Sequence, residues 1–438
     1  MNAPDIDVVE TTGHLSPDGT VIALMRNASD QGTVLLRWKA EQFEIADRVV
    51  HSGTTYAAPI APSILRTLRL PARIGPPETV EVLFRDLHSF LTSRSGQLDS
   101  CVTPLVFAAF ASWFSLVLPT APIVSIFAPP GSPKTRILQL LGMVCRHPLC
   151  IVGLTRSEMI RLPRSLRLTL LLDEPDHKSA TQTILRASSQ RSMHVAVRDG
   201  VVDLFGPKII VSSRPLYDVS PEGDVLPVAL TPISGNVPPL EKREEDEVAE
   251  RFQARFLGYF LRNFNSVHVP NFDVSELSFP IQGIAQTLGS AVVGSKELQA
   301  RILPILGVQD EEIRGARACS LDSVVLESIL FFIHVGGWSK VRTQYVAEKI
   351  TQIYQGRGSD RTDVSAETVG WTMRRLGIPS GRLNKSGNGL ELTDELCRLV
   401  HRLALSYGVP AMQSGFHRGC RYCEELDSAA SQRPSHVA

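Results

Sequence analysis

Short apolar runs alternate with helical or turn segments through the middle of the chain. Five such runs cover residues 123–127, 151–154, 168–172, 209–211 and 225–230. Runs of this length between segments of helical period are typical of buried strands that are joined by helices. The pattern therefore predicts an α/β domain with a mainly parallel sheet and flanking helices.

The front of the chain has a different pattern. Residues 20–24 and 33–38 are strand-like and are joined by a turn-rich segment, which predicts a β-rich N-terminal region. Apolar residues then recur at helical spacing between residues 80 and 91. We expect a helix there, leading into the α/β domain.

The C-terminal part predicts helices at residues 324–333, 343–353 and 366–376, a Gly/Asn-rich hairpin over 383–392, and a last helix to about Tyr407. Three helices followed by a hairpin is the order of a winged helix-turn-helix. Together the patterns divide the chain into a β-rich region (1–75), an α/β domain with leading helices (76–265), a helical linker or lid (266–318), a winged-helix domain (319–408) and a flexible tail (409–438).

Composition excludes several classes of protein. The 438 residues are 43% hydrophobic and 21% charged, which excludes wholesale disorder. Lys plus Arg and Asp plus Glu are 45 each, so any nucleic-acid surface has to be a local patch. Seven cysteines, an odd and sparse set, do not indicate a secreted disulfide framework. Because the N-terminus also shows no signal peptide, we expect a cytoplasmic protein.

Residues 102–118 are uncharged and strongly apolar, and their length reaches the lower limit for a membrane span. Polar residues and a proline interrupt the stretch, at Thr103, Pro104, Ser112 and Ser115. We interpret it as a buried helix and expect no membrane partner. The alternative, a membrane anchor, requires the chain to fractionate with membranes.

A candidate phosphate-binding loop follows the run at 123–127. Residues 128–135 read Ala-Pro-Pro-Gly-Ser-Pro-Lys-Thr and precede a helical run. In a P-loop, backbone N–H groups and the helix N-terminus cradle phosphate while a lysine neutralises it. Gly131, Ser132 and Lys134 are the candidate phosphate ligands, and Thr135 is a candidate Mg²⁺ ligand. Plain turn chemistry is the alternative.

Two acids end the apolar run at 168–172. At this position Asp173 can hold Mg²⁺ through water, and Glu174 can polarise an attacking water molecule. The alternative is an N-cap for the helix that is expected near Ser179. A third candidate motif is formed by the apolar run at 209–211, which is followed by Ser212 and Ser213.

In this order the three motifs resemble those of helicase-like P-loop ATPases of the AAA+ type from phages, plasmids and other mobile elements, including primase-helicase-associated families. Residues 110–114 (Phe-Ala-Ser-Trp-Phe), 171–174 (Leu-Leu-Asp-Glu) and 203–208 (Asp-Leu-Phe-Gly-Pro-Lys) add to the resemblance. It covers residues 78–265, with a weaker part over 321–407, where relatives carry a winged helix.

The resemblance implies an α/β P-loop NTPase core that binds ATP and Mg²⁺, assembles into a homo-oligomeric ring and moves or remodels DNA for a mobile element. It also implies a sensor role for Ser213, or for Ser212, in orienting the attacking water. Lys134 would hold the β and γ phosphates, and Asp173 would be part of the nucleotide and Mg²⁺ site.

Two departures from the family pattern leave a second function open. Pro133 stands where a glycine is usual and has no N–H to offer a phosphate. Relatives carry an arginine after the strand that bears the sensor serine, and this chain has Asp224-Val225 at that place, with Arg214 as a possible substitute. Such an arginine can increase the rate of hydrolysis by ~10³ or more. The alternative is a non-hydrolysing nucleotide-binding or DNA-binding scaffold that recognises its partner through the winged helix.

Candidate nucleic-acid contacts lie in two places. Two short alternating runs meet at Asp199-Gly200, a strong hairpin signal. Arg198 lies at the tip, with Arg191 and His194 near the base, and helicase-type AAA+ rings have a similar hairpin that faces the pore. The alternative is an exposed hairpin with a solubilising arginine.

The second place is the predicted winged helix. Arg374 and Arg375 lie on its third helix, and Arg382 and Lys385 flank the hairpin. Residues 338–408 contain eleven Lys/Arg and seven Asp/Glu, a net charge of +4. Protein docking is the alternative to DNA contact.

Three possible zinc ligands lie near the C-terminus, at His417, Cys420 and Cys423. A structural zinc site needs four ligands, and no partner pair follows in the sequence. Cys145 and Cys150, beside His147, are too far away in sequence to be assigned as the other half. The alternative is an exposed tail with reduced thiols.

Overall fold

The computed structural model describes residues 8–29, 32–176, 178–198, 200–213, 225–233, 237–267, 272–335, 338–359, 364–383, 387–409 and 419–431. The chain divides into two compact units, Met1–Asp310 and Glu311–Ala438.

The first unit begins with the β-rich region that the sequence predicts. Its strands are β1 (Val8–Glu10), β2 (Gly13–Leu15), β3 (Val21–Arg26), β4 (Thr33–Lys39), β5 (Gln42–Ala46), β6 (Arg48–His51) and β7 (Thr54–Ala57). They form a three-stranded sheet in the order β1-β7-β6 and a four-stranded sheet in the order β2-β3-β4-β5. The predicted strand pair is confirmed, because β3 and β4 pair antiparallel across the turn.

Helices α1 (Pro62–Leu65), α2 (Val80–Ser95) and α3 (Asp99–Trp113) follow. Thr79 caps α2 by accepting a hydrogen bond from the Val82 N–H. Every side chain of α3 from Cys101 to Trp113 is buried, so the expectation of a buried helix in the apolar stretch is confirmed.

Among the described residues, no single helix has both the length and the apolar composition that a membrane span needs. One bent pair of segments, Lys296–Ala318 with Leu321–Val335, meets both criteria when the two are taken together.

The central α/β segment contains β8 (Ile123–Phe127), α4 (Lys134–Val144), β9 (Pro148–Val152), α5 (Arg156–Arg161), β10 (Thr169–Asp173), α6 (Ser179–Ala187), β11 (Val195–Val197), β12 (Gly200–Val202), β13 (Lys208–Ser212) and β14 (Val225–Ala229). Five of the strands form an all-parallel sheet in the order β14-β8-β13-β10-β9. This confirms the predicted parallel sheet. The predicted run at 151–154 overlaps only the end of β9, which covers Pro148–Val152. The strand stops there because Gly153 adopts a positive φ of 68°.

The β-rich region shares a core with the parallel sheet. Ile22, Leu24 and Leu35 belong to the same buried cluster as Leu149 and Ile210. The buried Arg146 also donates a hydrogen bond to the carbonyl oxygen of Thr12 at 3.2 Å. Residues 8–75 are therefore part of the first compact unit and not a separate domain.

Helices α7 (Lys242–Asn263), α8 (Phe279–Ser290), α9 (Lys296–Ala300) and α10 (Ile302–Ala318) complete the run of elements up to the unit boundary, which falls inside α10. An aromatic cluster joins α3 to α7. Phe110 packs edge-on against Phe256 and Tyr259, and Trp113 stacks on Phe256. This packing fixes α7 beside the helix that precedes β8.

The second unit contains α11 (Leu321–Val335), β15 (Lys340–Arg342), α12 (Thr343–Gly356), α13 (Ala366–Arg375), β16 (Gly381–Arg382), β17 (Asn388–Glu391), α14 (Asp394–Ser406) and α15 (Arg421–Ser431). The predicted three helices, hairpin and last helix are all present. A short strand that the sequence did not predict, β15, pairs antiparallel with β17 and gives the sheet order β15-β17-β16.

The expectation of a flexible tail after residue 408 is wrong for residues 419–431. They include α15, whose Tyr422 and Cys423 are buried against the core of the second unit. Arg398 of α14 donates hydrogen bonds to the Glu425 carboxylate at 2.9 and 3.1 Å. Buried side chains and ion pairs together hold the segment against α14.

Candidate functional site

The three sequence motifs meet at one edge of the parallel sheet. Because the strands are parallel, the carboxyl ends of β8, β10 and β13 lie on the same side. β8 leads through α4 to the outer strand β9, whereas β13 leads to β14 at the opposite edge. Adjacent strands whose connections leave in opposite directions open a crevice between them, and such crevices are the usual ligand sites of parallel sheets.

The loop between β8 and α4 is compact. Ser132 donates its N–H to the Pro129 carbonyl at 3.1 Å, and Lys134 donates its N–H to the Ser132 carbonyl at 2.9 Å. Gly131 has a φ of +85°, a conformation that favours glycine. The loop therefore turns back on itself before the helix begins at Lys134.

One polar atom in this loop is left for a ligand. The Ser132 hydroxyl oxygen is buried, and within the described ranges it has no hydrogen-bond partner. A buried hydroxyl without a partner is costly, and a phosphate oxygen would satisfy it. Next to it, the first turn of α4 presents N–H groups that have no acceptor within the helix. The loop residues thus fit a phosphate group.

Lys134 and Glu174 face each other across the crevice. The Lys134 ammonium lies 3.2 Å from Oε1 of Glu174, and both side chains are partly buried. Glu174 follows β10 directly and has a φ of +46°, in the left-handed region. The Glu174 N–H donates a hydrogen bond to the Val211 carbonyl oxygen at 2.9 Å. This backbone turn directs the Glu174 side chain towards the end of β13.

Both predicted sensor serines contact the same carboxylate. The Ser213 N–H donates to Oε1 of Glu174 at 2.8 Å, and the Ser212 hydroxyl lies 3.4 Å from Oε2. Burial alone would raise the pKa of Glu174, but the hydrogen bonds from Ser213 and Lys134 outweigh it and lower the pKa. Glu174 is therefore ionised and oriented, as a group that polarises water has to be.

Asp173 is the last residue of β10 and is partly buried. Burial raises its pKa, and the negative charge of Glu174 adds to this effect, while Lys134 opposes it. A carboxylate whose charge is disfavoured in this way gains from a nearby cation. Asp173 and the exposed Thr135 each carry oxygen atoms of the kind that Mg²⁺ prefers, so the chemistry of these two residues fits the ion.

Pro133 occupies the N-cap position of α4. Its carbonyl accepts the Ile137 N–H at 3.0 Å, so the proline starts the helix in the usual way. The missing N–H falls directly before Lys134, where a phosphate-binding loop normally offers a donor. Arg214, the candidate substitute for the family's arginine, and Asp224, near the place where relatives carry that arginine, lie outside the described residues.

Comparisons with known proteins add little to this geometry. No family profile and no curated protein matches the chain. The apo A form of the NrS-1 C-terminal region is 11% identical with a TM-score of 0.34, covering 84% of this chain and 96% of that one. A full-length MCM homolog from Methanopyrus kandleri is 12% identical with a TM-score of 0.32, covering 69% and 74%.

A RuvB variant from Thermotoga maritima is 16% identical with a TM-score of 0.22, covering 71% of this chain and 95% of that one. Likenesses at such scores support no functional assignment. The five-stranded all-parallel sheet with its flanking helices is nevertheless consistent with a P-loop NTPase-like core.

The predicted hairpin before the third motif is present. β11 and β12 pair antiparallel, Val195 opposite Val202, and Arg198 is exposed at the tip. Arg191 lies near the base of the hairpin, as the sequence predicts, and it contacts the surrounding protein. Its guanidinium donates to the carbonyl oxygens of Leu118 and Ser115 and lies over the Phe205 ring at 4.3 Å. These contacts anchor the base of the hairpin.

The arginines of the second unit also differ from one another. Arg375 forms an ion pair with Asp322 of α11, so it holds α13 in place. Arg374 lies over the ring of Trp371 at 4.4 Å, and Trp371 is 62% exposed. Arg382 is exposed on β16, and Lys385 lies outside the described residues.

Sequence reasoning missed part of this surface. Arg342, Arg374 and Gly381 line one open groove between α12, α13 and the hairpin, together with Gln344, Glu367 and Asn388. Trp371, which contacts Arg374 on the third helix, is 62% exposed, and this exposure could not be read from the sequence.

Proposed function

We propose that this protein is an ATP-binding, Mg²⁺-dependent P-loop ATPase of the helicase-like AAA+ type that acts on nucleic acid. The observation that carries the proposal is the Lys134–Glu174–Ser213 arrangement at the carboxyl edge of the parallel sheet. It brings together a cation, a carboxylate and a backbone N–H that orients the carboxylate, and the buried unpartnered hydroxyl of Ser132 lies in the loop just before Lys134. A nucleoside triphosphate and its attacking water require these groups.

Each residue has a distinct role in this proposal. Lys134 binds the terminal phosphates, with support from Ser132, Gly131 and the helix N-terminus. Thr135 and Asp173 hold Mg²⁺, which would neutralise charge on the phosphate oxygens. Glu174 accepts a proton from the attacking water.

The serines of β13 act through Glu174. The Ser213 N–H and the Ser212 hydroxyl hold the carboxylate when Lys134 turns to phosphate. Lys134 thereby links the two halves of the site, because a phosphate competes with Glu174 for the same ammonium group.

Nucleic acid is the proposed partner, and DNA is the form that we favour. The second unit has the element order helix, strand, two helices and a two-stranded hairpin, which fits a winged helix. Its exposed Arg374 and Arg382 suit phosphate contacts, and Arg198 suits a strand that passes the hairpin of the first unit. Ring assembly and the role in a mobile element belong to the same proposal.

A second candidate function is a nucleotide-binding or DNA-binding scaffold that does not hydrolyse ATP. The observation in its favour is the loop itself: Pro133 has no N–H, and the Lys134 N–H is bonded to the Ser132 carbonyl. Two donors that a phosphate cradle normally offers are therefore absent or engaged. In such a protein Glu174 would have a structural role, as the partner of Lys134 and of the serines at the end of β13.

The test is ATP affinity in magnesium buffer for the wild type and for Lys134→Ala. Loss of a charge-assisted contact should weaken binding by about 10-fold or more. Lys178→Ala is the matched control, because the side chain of that lysine is 80% exposed and, among the described residues, its ion pair is a local one with Asp176. Equal affinity in the wild type and Lys134→Ala would contradict the proposal.

A further inference from the structure

Four side chains with metal-binding atoms converge in the second unit. His334 near the end of α11, His401 in α14, and Cys420 and Cys423 at the start of α15 place one ligand atom each within 4.8 Å of all the others. The sequence separations are large, 67 residues between the two histidines and 89 between His334 and Cys423. The fold alone brings them together.

The distances match one particular geometry. The two Nε2 atoms lie 3.1 Å apart, Cys420 Sγ lies 3.4 Å from His401 Nε2, and Cys423 Sγ lies 3.5 Å from His334 Nε2. For a tetrahedron with Zn–N of about 2.0–2.1 Å and Zn–S of about 2.3 Å, the edges are about 3.3 Å between nitrogens and about 3.6 Å between nitrogen and sulfur. Three of the six edges therefore match a tetrahedral site, and the other three are no longer than 4.8 Å.

The surroundings orient the ligands. The Nδ1 atom of His401 lies 2.7 Å from the Cys397 carbonyl oxygen, so Nδ1 carries the proton and the lone pair of Nε2 faces the cluster. An outer hydrogen bond of this kind is usual for zinc-bound histidines. His401, Cys420 and Cys423 are buried, and His334 is partly buried.

We propose that His334, His401, Cys420 and Cys423 bind one Zn²⁺ ion as a structural site. All four tetrahedral positions are protein ligands, so no position remains for water or substrate. Binding releases the two thiol protons to solvent, and two thiolates with two neutral imidazoles leave a net charge of zero. A neutral complex is the form that a largely buried cluster tolerates.

The site differs from the one that the sequence indicates. The Cys420-x-x-Cys423 half is as expected, but His334 and His401 supply the other half, whereas His417 lies outside the described residues. The ion would join α15 to α11 and α14. It would add to the buried side chains and the Arg398–Glu425 ion pair that hold this helix against α14.

The experiment is zinc analysis of the full-length chain, purified without chelator, followed by exchange of the metal for Co²⁺. We expect stoichiometric zinc and a cobalt spectrum with thiolate charge-transfer bands and the intense visible bands of a tetrahedral site. Cys423→Ser and His401→Asn should each lose most of the metal. A metal-free wild type that takes up neither ion tightly would overturn the proposal and leave a hydrogen-bonded His/Cys cluster.

Two control variants separate this site from other possibilities. Cys319→Ser removes an exposed thiol of the same unit and should leave the metal content unchanged. His417→Ala should also leave it unchanged; loss of zinc in that variant would overturn the assignment of His334 and His401. If Cys423→Ser does not fold, the thiolate bands of the cobalt-loaded wild type still decide the matter, because a cobalt spectrum without them excludes cysteine ligation.

Discussion

The Lys134 ammonium and the Glu174 carboxylate form an ion pair of 3.2 Å across the crevice between β8 and β13. The residue proposed to bind phosphate thus holds the residue proposed to activate water. A bound γ-phosphate would take Lys134 and leave Glu174 to the serines of β13. The pairing therefore couples nucleotide binding to the state of the proposed general base.

We predict that Lys134→Ala folds normally. The pair is partly exposed, at 24% and 39% of the two side chains, and such pairs contribute about 1 kcal/mol or less to stability. Thermal unfolding of the variant should therefore overlay that of the wild type. A large fall in melting temperature would mean that any loss of ATP affinity reflects unfolding.

Asp173→Asn should remove the contribution of Mg²⁺ to nucleotide affinity. Affinity in EDTA should be similar for the variant and the wild type, while the gain on adding Mg²⁺ should be lost in the variant, because the carboxylate is the proposed ligand. Titration calorimetry with and without the metal measures both quantities. Asp176→Asn is the control at the same edge, and an equal Mg²⁺ effect in Asp173→Asn would remove Asp173 from the site.

Arg374→Ala and Arg375→Ala should have different effects. Arg374 faces solvent over Trp371, so its loss should weaken DNA binding and lower the slope of log affinity against log salt by about 1. Arg375 is paired with Asp322, so its loss should cost about 1 kcal/mol of stability and leave the slope unchanged. Fluorescence anisotropy over a salt series distinguishes them. The reverse pattern would mean that Arg375 is the DNA ligand.

Lys208 supports the strand that carries the sensor serines. It is fully buried, and its ammonium group donates to the carbonyl oxygens of Ser188, Leu204 and Gly206. Lys208→Met leaves these acceptors without their donor and should lower the free energy of unfolding by about 1–3 kcal/mol. Denaturant unfolding measures this difference, and an unchanged midpoint would contradict it.

The Lys208 effect also depends on pH. Burial lowers the pKa of Lys208 from 10.5 to about 7, so above pH 7 the unfolded chain binds a proton that the folded chain does not. The contribution of Lys208 to the free energy of unfolding therefore rises with pH, by at most about 1.4 kcal/mol per pH unit. Between about pH 7 and pH 9 the wild type should gain stability relative to Lys208→Met. A constant difference would mean that the carbonyls keep the lysine charged.

Much of the candidate site could be predicted from sequence, because the carboxyl ends of parallel strands lie at the same edge of the sheet. That rule places Lys134, Asp173 and Ser213 at one edge once the strands are recognised. The left-handed turn at Glu174 and the anchoring of Arg191 were not predictable, since both depend on contacts between distant segments. The convergence of His334 with Cys423 could not be read from spacing for the same reason.

The most direct test of the central claim is phosphate release from ATP by the wild type and by Glu174→Gln, with and without single-stranded DNA. We predict release that DNA stimulates, and a loss of that release in Glu174→Gln while ATP affinity is retained, because the amide cannot accept the proton of the attacking water. A wild type that binds ATP through Lys134 but releases no more phosphate than Glu174→Gln would contradict the account and identify a scaffold that does not hydrolyse nucleotide.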